Sequence, residues 1–198
     1  DGKDPSELSR KDEIFHSPSG VISIAGGKLT GFRKMAERTV DIVAQQLADE
    51  KKKTYKPCTT HKIKLSGGDF VNPGDVAKLI KQVQEQTGLK EVEARILVEK
   101  YGSNTHTILA NAETKEGDWA TKILLAELDY AITEELVYTP ADFLVRRTGR
   151  LYFDRDSIDA IYPTVMDFLF SKLKYSEEQH AQFEARFKQE YQQAVLFQ

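Results

Sequence analysis

The sequence predicts a mainly α protein, a domain of six to seven helices preceded by a small α/β piece. Three observations carry this. Beyond residue 70, apolar residues recur at helical spacing in one segment after another, each with its own start or stop signal. Ahead of them a short β-branched run, Val21-Ile22-Ser23-Ile24-Ala25, ends at Gly26-Gly27 and gives way to one amphipathic helix. The charge also changes sign along the chain: residues 1–70 hold 13 Lys/Arg against 10 Asp/Glu, and residues 71–198 hold 15 against 21.

Taken in order, the first 13 residues are polar and read as loop. Glu13-Ile14-Phe15-His16 and Val21–Ala25 read as two strands joined by the turn Ser17-Pro18-Ser19-Gly20. From Leu29 the helical period appears at Phe32, Ala36, Val40, Val43 and Leu47, and it runs out in Asp49-Glu50-Lys51-Lys52-Lys53, whose lysines suit the negative pole of a helix. Two strands and a helix are too little to cover Val21–Ala25 on both faces, so residues 1–53 read as the last elements of a sheet whose other strands lie outside this chain. Residues 54–70 look extended, a linker or an added strand, broken at Gly67-Gly68.

Residues 71–198 form the helical domain. Val76, Leu79, Ile80 and Val83 line one helix, stopped at Gly88; Val92 to Tyr101 form a second, stopped at Gly102; Asn104 is placed to cap a third over Thr105–Asn111. A long helix is expected over Trp119–Val137. Thr139-Pro140-Ala141-Asp142 sets a capping residue, an N1 proline and an N3 acid in series, opening a helix that Gly149 ends. Asp156–Lys174 is expected to be broken or kinked at Pro163. Ser176-Glu177-Glu178-Gln179 is a capping box before the last helix, where Phe183, Phe187, Tyr191 and Val195 repeat every four residues.

The composition removes several function classes. One cysteine, Cys58, allows no internal disulfide, and four scattered histidines suggest no metal site. No apolar stretch is long enough to span a bilayer, and no secretion signal opens the chain, which points to a reducing cytoplasm. The acidic C-terminal two-thirds is a poor surface for nucleic acid. Residues 90–101, 102–104 and 105–111 have helix-turn-helix spacing, but Thr105–Asn111 holds no Lys or Arg, so nucleic acid is not the expected partner.

The segment most able to carry chemistry is Ala25-Gly26-Gly27-Lys28-Leu29-Thr30. Glycines between a strand and a helix let backbone approach a ligand, and the helix start then offers N–H groups to an anion or carbonyl oxygen. Lys28 adds a mobile charge, and Arg33 follows one turn later. A tight turn with a surface lysine is the plainer alternative. The segment is not a P-loop, since Leu29 follows the lysine, and G-x-G-x-x-G occurs nowhere.

The residues from Gly20 through Gly26-Gly27-Lys28-Leu29-Thr30 to Glu37 resemble the final flavin-contacting segment of FAD-dependent glycerol-3-phosphate dehydrogenases and α-glycerophosphate oxidases. Ala126-Glu127-Leu128 and the stretch Tyr138-Thr139-Pro140-Ala141-Asp142-Phe143-Leu144-Val145-Arg146-Arg147-Thr148 resemble that family's helical C-terminal domain. The family's usual motif reads G-G-K-L-T-T-Y-R. Gly31-Phe32 replaces its Thr-Tyr pair here, as in the oxidase branch, which leaves oxygen or quinone open as final electron acceptor. The family is much longer than this chain and begins with a flavin-binding unit absent here, so the resemblance implies a C-terminal piece of a truncated FAD-binding oxidoreductase, silent by itself and not expected to hold FAD alone.

For the longer enzyme the resemblance implies hydride transfer from C2 of glycerol 3-phosphate to the flavin, giving dihydroxyacetone phosphate. It places the backbone of Gly26, Gly27, Leu29 and Thr30, with Lys28, beside the flavin, where a positive pole steadies charge on the reduced ring. It places Arg10 at the substrate phosphate. Lys28 and Arg10 are thus the candidate catalytic pair. Peripheral membrane attachment and homo-oligomer formation stay open, as do roles for His16, Arg146 and Arg147. Two rivals remain: another FAD-dependent oxidase acting on amines or amino acids, and a non-enzymatic helical interaction module. Arg146 and Arg147 read more readily as interhelical ion-pair partners of Glu127, Glu134 and Glu135 than as phosphate ligands.

Overall fold

The computed structural model describes residues 12–196, and these part into two units between Lys64 and Leu65. In the first unit, β1 (Asp12–His16) and β2 (Ile22–Gly26) form an antiparallel hairpin with Ile14 opposite Ile24 and His16 opposite Ile22. Alternation puts Ile14, Ile22 and Ile24 on one half-buried face and leaves Phe15 and Ser23 on the exposed one. A 3-10 turn (Leu29–Gly31) then leads into α1 (Phe32–Lys51). An ion pair from Arg38 on α1 to Asp12 on β1 ties helix to hairpin and lowers the Asp12 carboxyl below its usual range. Residues 54–64 contain only a 3-10 turn, Thr60–Lys62, and no strand among the described residues.

The second unit is wholly helical. Its elements are α2 (Gly74–Thr87), α3 (Glu91–Tyr101), α4 (Thr105–Ala112), α5 (Trp119–Glu135), the short α6 (Arg150–Phe153), α7 (Ile158–Leu173) and α8 (Glu177–Val195). Six of these are long, in keeping with the six to seven expected. Buried side chains form two clusters. Leu79, Val83, Leu97, Val98 and Ile108 centre the first, on α2, α3 and α4, with Ile123 and Ala126 of α5. Leu128, Phe143, Leu144, Val165, Leu169 and Phe187 centre the second, on α7, α8 and the C-terminal half of α5.

Several details depart from expectation for identifiable reasons. α5 stops at Glu135 rather than Val137 because Leu136 takes a left-handed conformation (φ 58°). Arg147 reaches back to the Glu135 carbonyl (2.6 Å from Nη2) and so satisfies one of that helix's last acceptors. The Thr139–Asp142 start forms as read: Asp142 accepts from the Thr139 N–H (2.8 Å) and Thr139 Oγ1 accepts from the Asp142 N–H (3.2 Å). Burial pushes the Asp142 carboxyl up, and the bonds from Thr139 and Tyr138 outweigh it and hold it low. The helix this opens is a π-helical segment over Asp142–Arg147, continued by the Thr148 N–H to Phe143 carbonyl bond of 2.9 Å.

α7 runs unbroken through Pro163, so the expected break is absent; as the sixth residue of the helix, Pro163 withholds one N–H, the one that would bond the Asp159 carbonyl, and the helix continues past it. Asn104 caps nothing with its side chain. It donates instead to Ser66 Oγ (2.8 Å) and Tyr130 Oη (2.9 Å), fastening the stretch before α2 to α5. Nearby, Gly67 (φ +83°) and Gly102 (φ +57°) lie so close that a Cβ on either would strike the other segment's backbone, and the Ser103 N–H bonds the Gly67 carbonyl at 2.9 Å.

Candidate functional site

β2 delivers the chain to Gly26 and Gly27, both at positive φ (81° and 82°), a conformation that suits residues without a Cβ. At Gly27 an added Cβ would sit 2.8 Å from Met35 Sδ and 3.3 Å from Asp12 Cβ, so the turn packs directly on α1 and β1. Lys28 is extended (φ −88°, ψ 144°) and its carbonyl accepts from the Gly31 N–H at 2.8 Å. The N–H groups of Leu29 and Thr30 open this turn, ahead of any carbonyl that could accept them within it. No side chain caps α1, and its first turn contains no acidic residue.

The charges around this end are unevenly matched. Arg33 pairs with Glu37 (2.8 Å) and bonds Thr60 Oγ1 (3.2 Å); Lys34 also pairs with Glu37 (2.7 Å). Hydrogen bonds from Lys34 and then Arg33 lower the Glu37 carboxyl. Lys28 is exposed, with no ion-pair or hydrogen-bond partner among the described residues, and Leu29 beside it is 91% exposed. An unpaired cation at the positive end of a helix dipole is electrostatically unfavourable until an electron-rich group arrives. The arrangement suits a bound anion or carbonyl oxygen at the exposed Lys28–Thr30 backbone.

Of the residues singled out in the sequence, the structure brings Gly26, Gly27, Lys28, Leu29 and Thr30 into this one turn. Arg10 lies outside the described residues. His16 is exposed at the end of β1, opposite Ile22. Cys58 Sγ lies 3.0 Å from Thr60 Oγ1. Arg146 pairs with Asp142 (3.2 Å), and Arg147 with Glu135 (3.9 Å); neither reaches Glu127, whose partners are Lys100 and Arg150. The helix-turn-helix spacing resolves into packing, since Thr105, Ile108, Leu109 and Ala112 of α4 are all buried.

The second unit holds a feature the sequence reading missed, a cleft of about 810 Å³ between α3, α5 and the α6–α7 region. Leu97, Ile123, Leu124 and Phe153 make apolar walls, and Lys100, Glu127 and Arg150 meet in it. Glu127 is only 6% exposed; it accepts from Lys100 at 3.0 Å and lies 3.9 Å from Arg150 Nη2, which also pairs with Asp154 at 2.7 Å through Nη1. Burial and then the Glu127 carboxylate push the neighbouring Tyr101 hydroxyl far above its usual range. The available signal was an acid set inside the apolar run Ile123–Leu128.

Residues 58–180 match the family model described as the C-terminal domain of alpha-glycerophosphate oxidase. The chain belongs to that family. An aerobic glycerol-3-phosphate dehydrogenase of Bacillus subtilis (strain 168) is 43% identical over 90% of this chain and 33% of its own length. One from Staphylococcus aureus (strain USA300) is 41% identical over 98% of this chain and 35% of its own length. Among solved structures, the glycerol-3-phosphate dehydrogenase from Bacillus halodurans, complexed with FAD, superposes with a TM-score of 0.79 at 40% identity, over 94% of this chain and 38% of that one. The chain thus spans about a third of the length of the curated relatives it matches. The family membership also agrees with the mainly helical fold, and no described helix is long and apolar enough to cross a membrane.

Proposed function

We propose that this chain is the C-terminal third of an FAD-dependent oxidoreductase that oxidises glycerol 3-phosphate to dihydroxyacetone phosphate. The observation that carries the reading is the turn at Gly26–Thr30: an exposed Lys28, without a partner among the described residues, at the start of the 3-10 turn that leads into the uncapped α1, just after two glycines at positive φ. The residues fit the electron-rich edge of a flavin ring. FAD, when bound, supplies the two-electron acceptor.

In this reading the turn contributes three things. Gly26 and Gly27, at positive φ, turn the chain so that the backbone of Leu29 and Thr30 faces the ring edge. The N–H groups of Leu29 and Thr30 and the positive end of α1 hold fixed dipoles toward it, needing no reorganisation as negative charge grows. Lys28 adds a full positive charge that is worth more as that charge develops than before, which is the condition for raising a rate rather than only tightening binding. Arg10 is assigned to the substrate phosphate by its match to the family. The final acceptor is oxygen or a quinone.

The test uses the longer enzyme, by anaerobic flavin reduction against glycerol 3-phosphate concentration. Lys28→Ala should lower the saturating reduction rate by about 10²–10³-fold, the loss associated with an oxyanion-hole donor. Arg10→Ala should mainly raise KM, because the phosphate is charged before and after the reaction. An unchanged saturating rate in Lys28→Ala would reduce the lysine to a surface residue. This chain alone should be colourless: micromolar binding needs about 8 kcal/mol of net free energy, more than one glycine turn supplies after ordering costs.

A further inference from the structure

α5 is the helix through which the two buried clusters of the second unit meet. Ile123 and Ala126 belong to the first cluster, and Leu124, Leu128 and Ala131 to the second. Two acids stand in the middle of this helix, Glu127 and Asp129. Two residues apart, they project from nearly opposite sides of the axis.

Each acid is matched by one cation from each cluster's helices. Glu127 takes Lys100 of α3 (3.0 Å) from the first and Arg150 of α6 (3.9 Å) from the second. Asp129 takes Lys115, just after α4 (3.0 Å), from the first and Lys172 of α7 (2.7 Å) from the second, with Asn111 of α4 donating to it at 3.0 Å. Glu127 borders the cleft; Asp129 lies on the other side of α5. Glu127 is buried and Asp129 half-buried, with side chains 8% and 13% exposed, so each gains from having its cations nearby.

We infer that Glu127 and Asp129 act as a pair of ionic clamps, one on each side of α5, that hold the two helical clusters in one orientation and fix the width of the cleft between them. An apolar residue at either position would keep α5 packed but would leave two cations, one from each cluster, with nothing common to hold. Burial on the shared α5 joins the two clusters, and the clamps set the angle at which the surrounding helices of each are held to it.

The experiment uses the full chain with Cys58→Ser and spin labels at the exposed positions Val92→Cys on α3 and Tyr152→Cys on α6. The parent should give one narrow label-to-label distance, and amides of both clusters should exchange in step as denaturant is added. In Glu127→Gln/Asp129→Asn the distance should broaden, and one cluster should exchange about tenfold faster than the other, the mark of separate opening units. Val83→Ala, a comparable loss confined to the first cluster, should lower the melting temperature and leave the distance narrow. Should the double variant fail to fold, Lys100→Met/Lys172→Met removes one cation from each clamp and should broaden the distance part-way. A narrow distance with exchange still in step, in whichever acid or cation variant folds, would overturn the inference.

Discussion

No residue between 12 and 64 is buried, whereas every long helix of residues 65–196 places at least one side chain out of water. The patterning of the two regions does not explain this. α1 carries Phe32, Ala36, Val40 and Val43 at helical spacing as regular as that of α2, yet Phe32 and Val40 are 63% and 62% exposed while Val83 of α2 is fully buried. The difference is one of partners. α2 meets α3, which meets α4, and α5 is buried in both clusters; among the described residues α1 packs through Met35 on a two-stranded hairpin and bonds Thr60 through Arg33. Amphipathic spacing therefore states that a face needs covering, and the presence of further elements decides whether it is covered. The first unit's uncovered apolar face and uncapped, glycine-rich turn suit a region that works against other parts of a larger fold. The second unit carries its own core.

Separating the two regions is the strongest way to break that contrast. Residues 65–198, expressed alone, should give a strongly helical protein with a cooperative thermal transition, because both buried clusters lie within them. Residues 1–64 alone should show no cooperative transition, since an isolated hairpin and one helix are marginal in water. Circular dichroism melts of the two pieces decide it, and a molten 65–198 would mean that its core is completed elsewhere.

A pair of truncations in the intact chain sharpens the same comparison. Phe143→Ala, at a fully buried position, should cost about 3–5 kcal/mol through lost transfer energy and the cavity left behind. Val40→Ala on the exposed face of α1 should stay within about 0.5 kcal/mol. Denaturant titrations followed by helical signal would show the gap, and equal costs would contradict the burial difference.

The electrostatics of the second unit should appear in acid. Burial raises the Asp129 carboxyl, but hydrogen bonds from Lys172, Asn111 and Lys115 outweigh it and bring the folded value from 3.8 down to about 2. A carboxyl depressed in the folded state contributes stability that is fully present above its unfolded value. That contribution is lost as pH falls from about 4 through about 2, and amounts to about 2 kcal/mol. Asp129→Asn should flatten this part of the stability–pH curve; a parent curve already flat between pH 4 and 2 would refute the network.

The smallest effect belongs to the turn. Lys28→Ala should leave the stability of this chain within about 0.5 kcal/mol, because its side chain is exposed and unpaired among the described residues. A loss well beyond that would give the lysine a structural partner and weaken its assignment to a ligand.

By itself the sequence determined the local decisions: the hairpin, the glycine turn, the helix starts at Thr139 and Ser176, and the stops at Gly88 and Gly102. These depend on dihedral preference, capping and periodicity within a few residues. It also offered Gly26–Thr30 as a candidate segment to receive a ligand, with a tight turn and a surface lysine as the plainer alternative. Only the tertiary structure decided that Asn104 would bond Ser66 and Tyr130 instead of capping α4, that Pro163 would ride inside an unbroken α7, and that α5 would stop at Glu135. It alone decided that Glu127 and Asp129 would each meet cations from two clusters. Lys100, Lys115, Arg150 and Lys172 are far apart in the chain, and no local rule pairs a buried acid with cations so distant in sequence. Desolvation makes such pairing necessary once α5 is buried, and packing chooses which cations provide it.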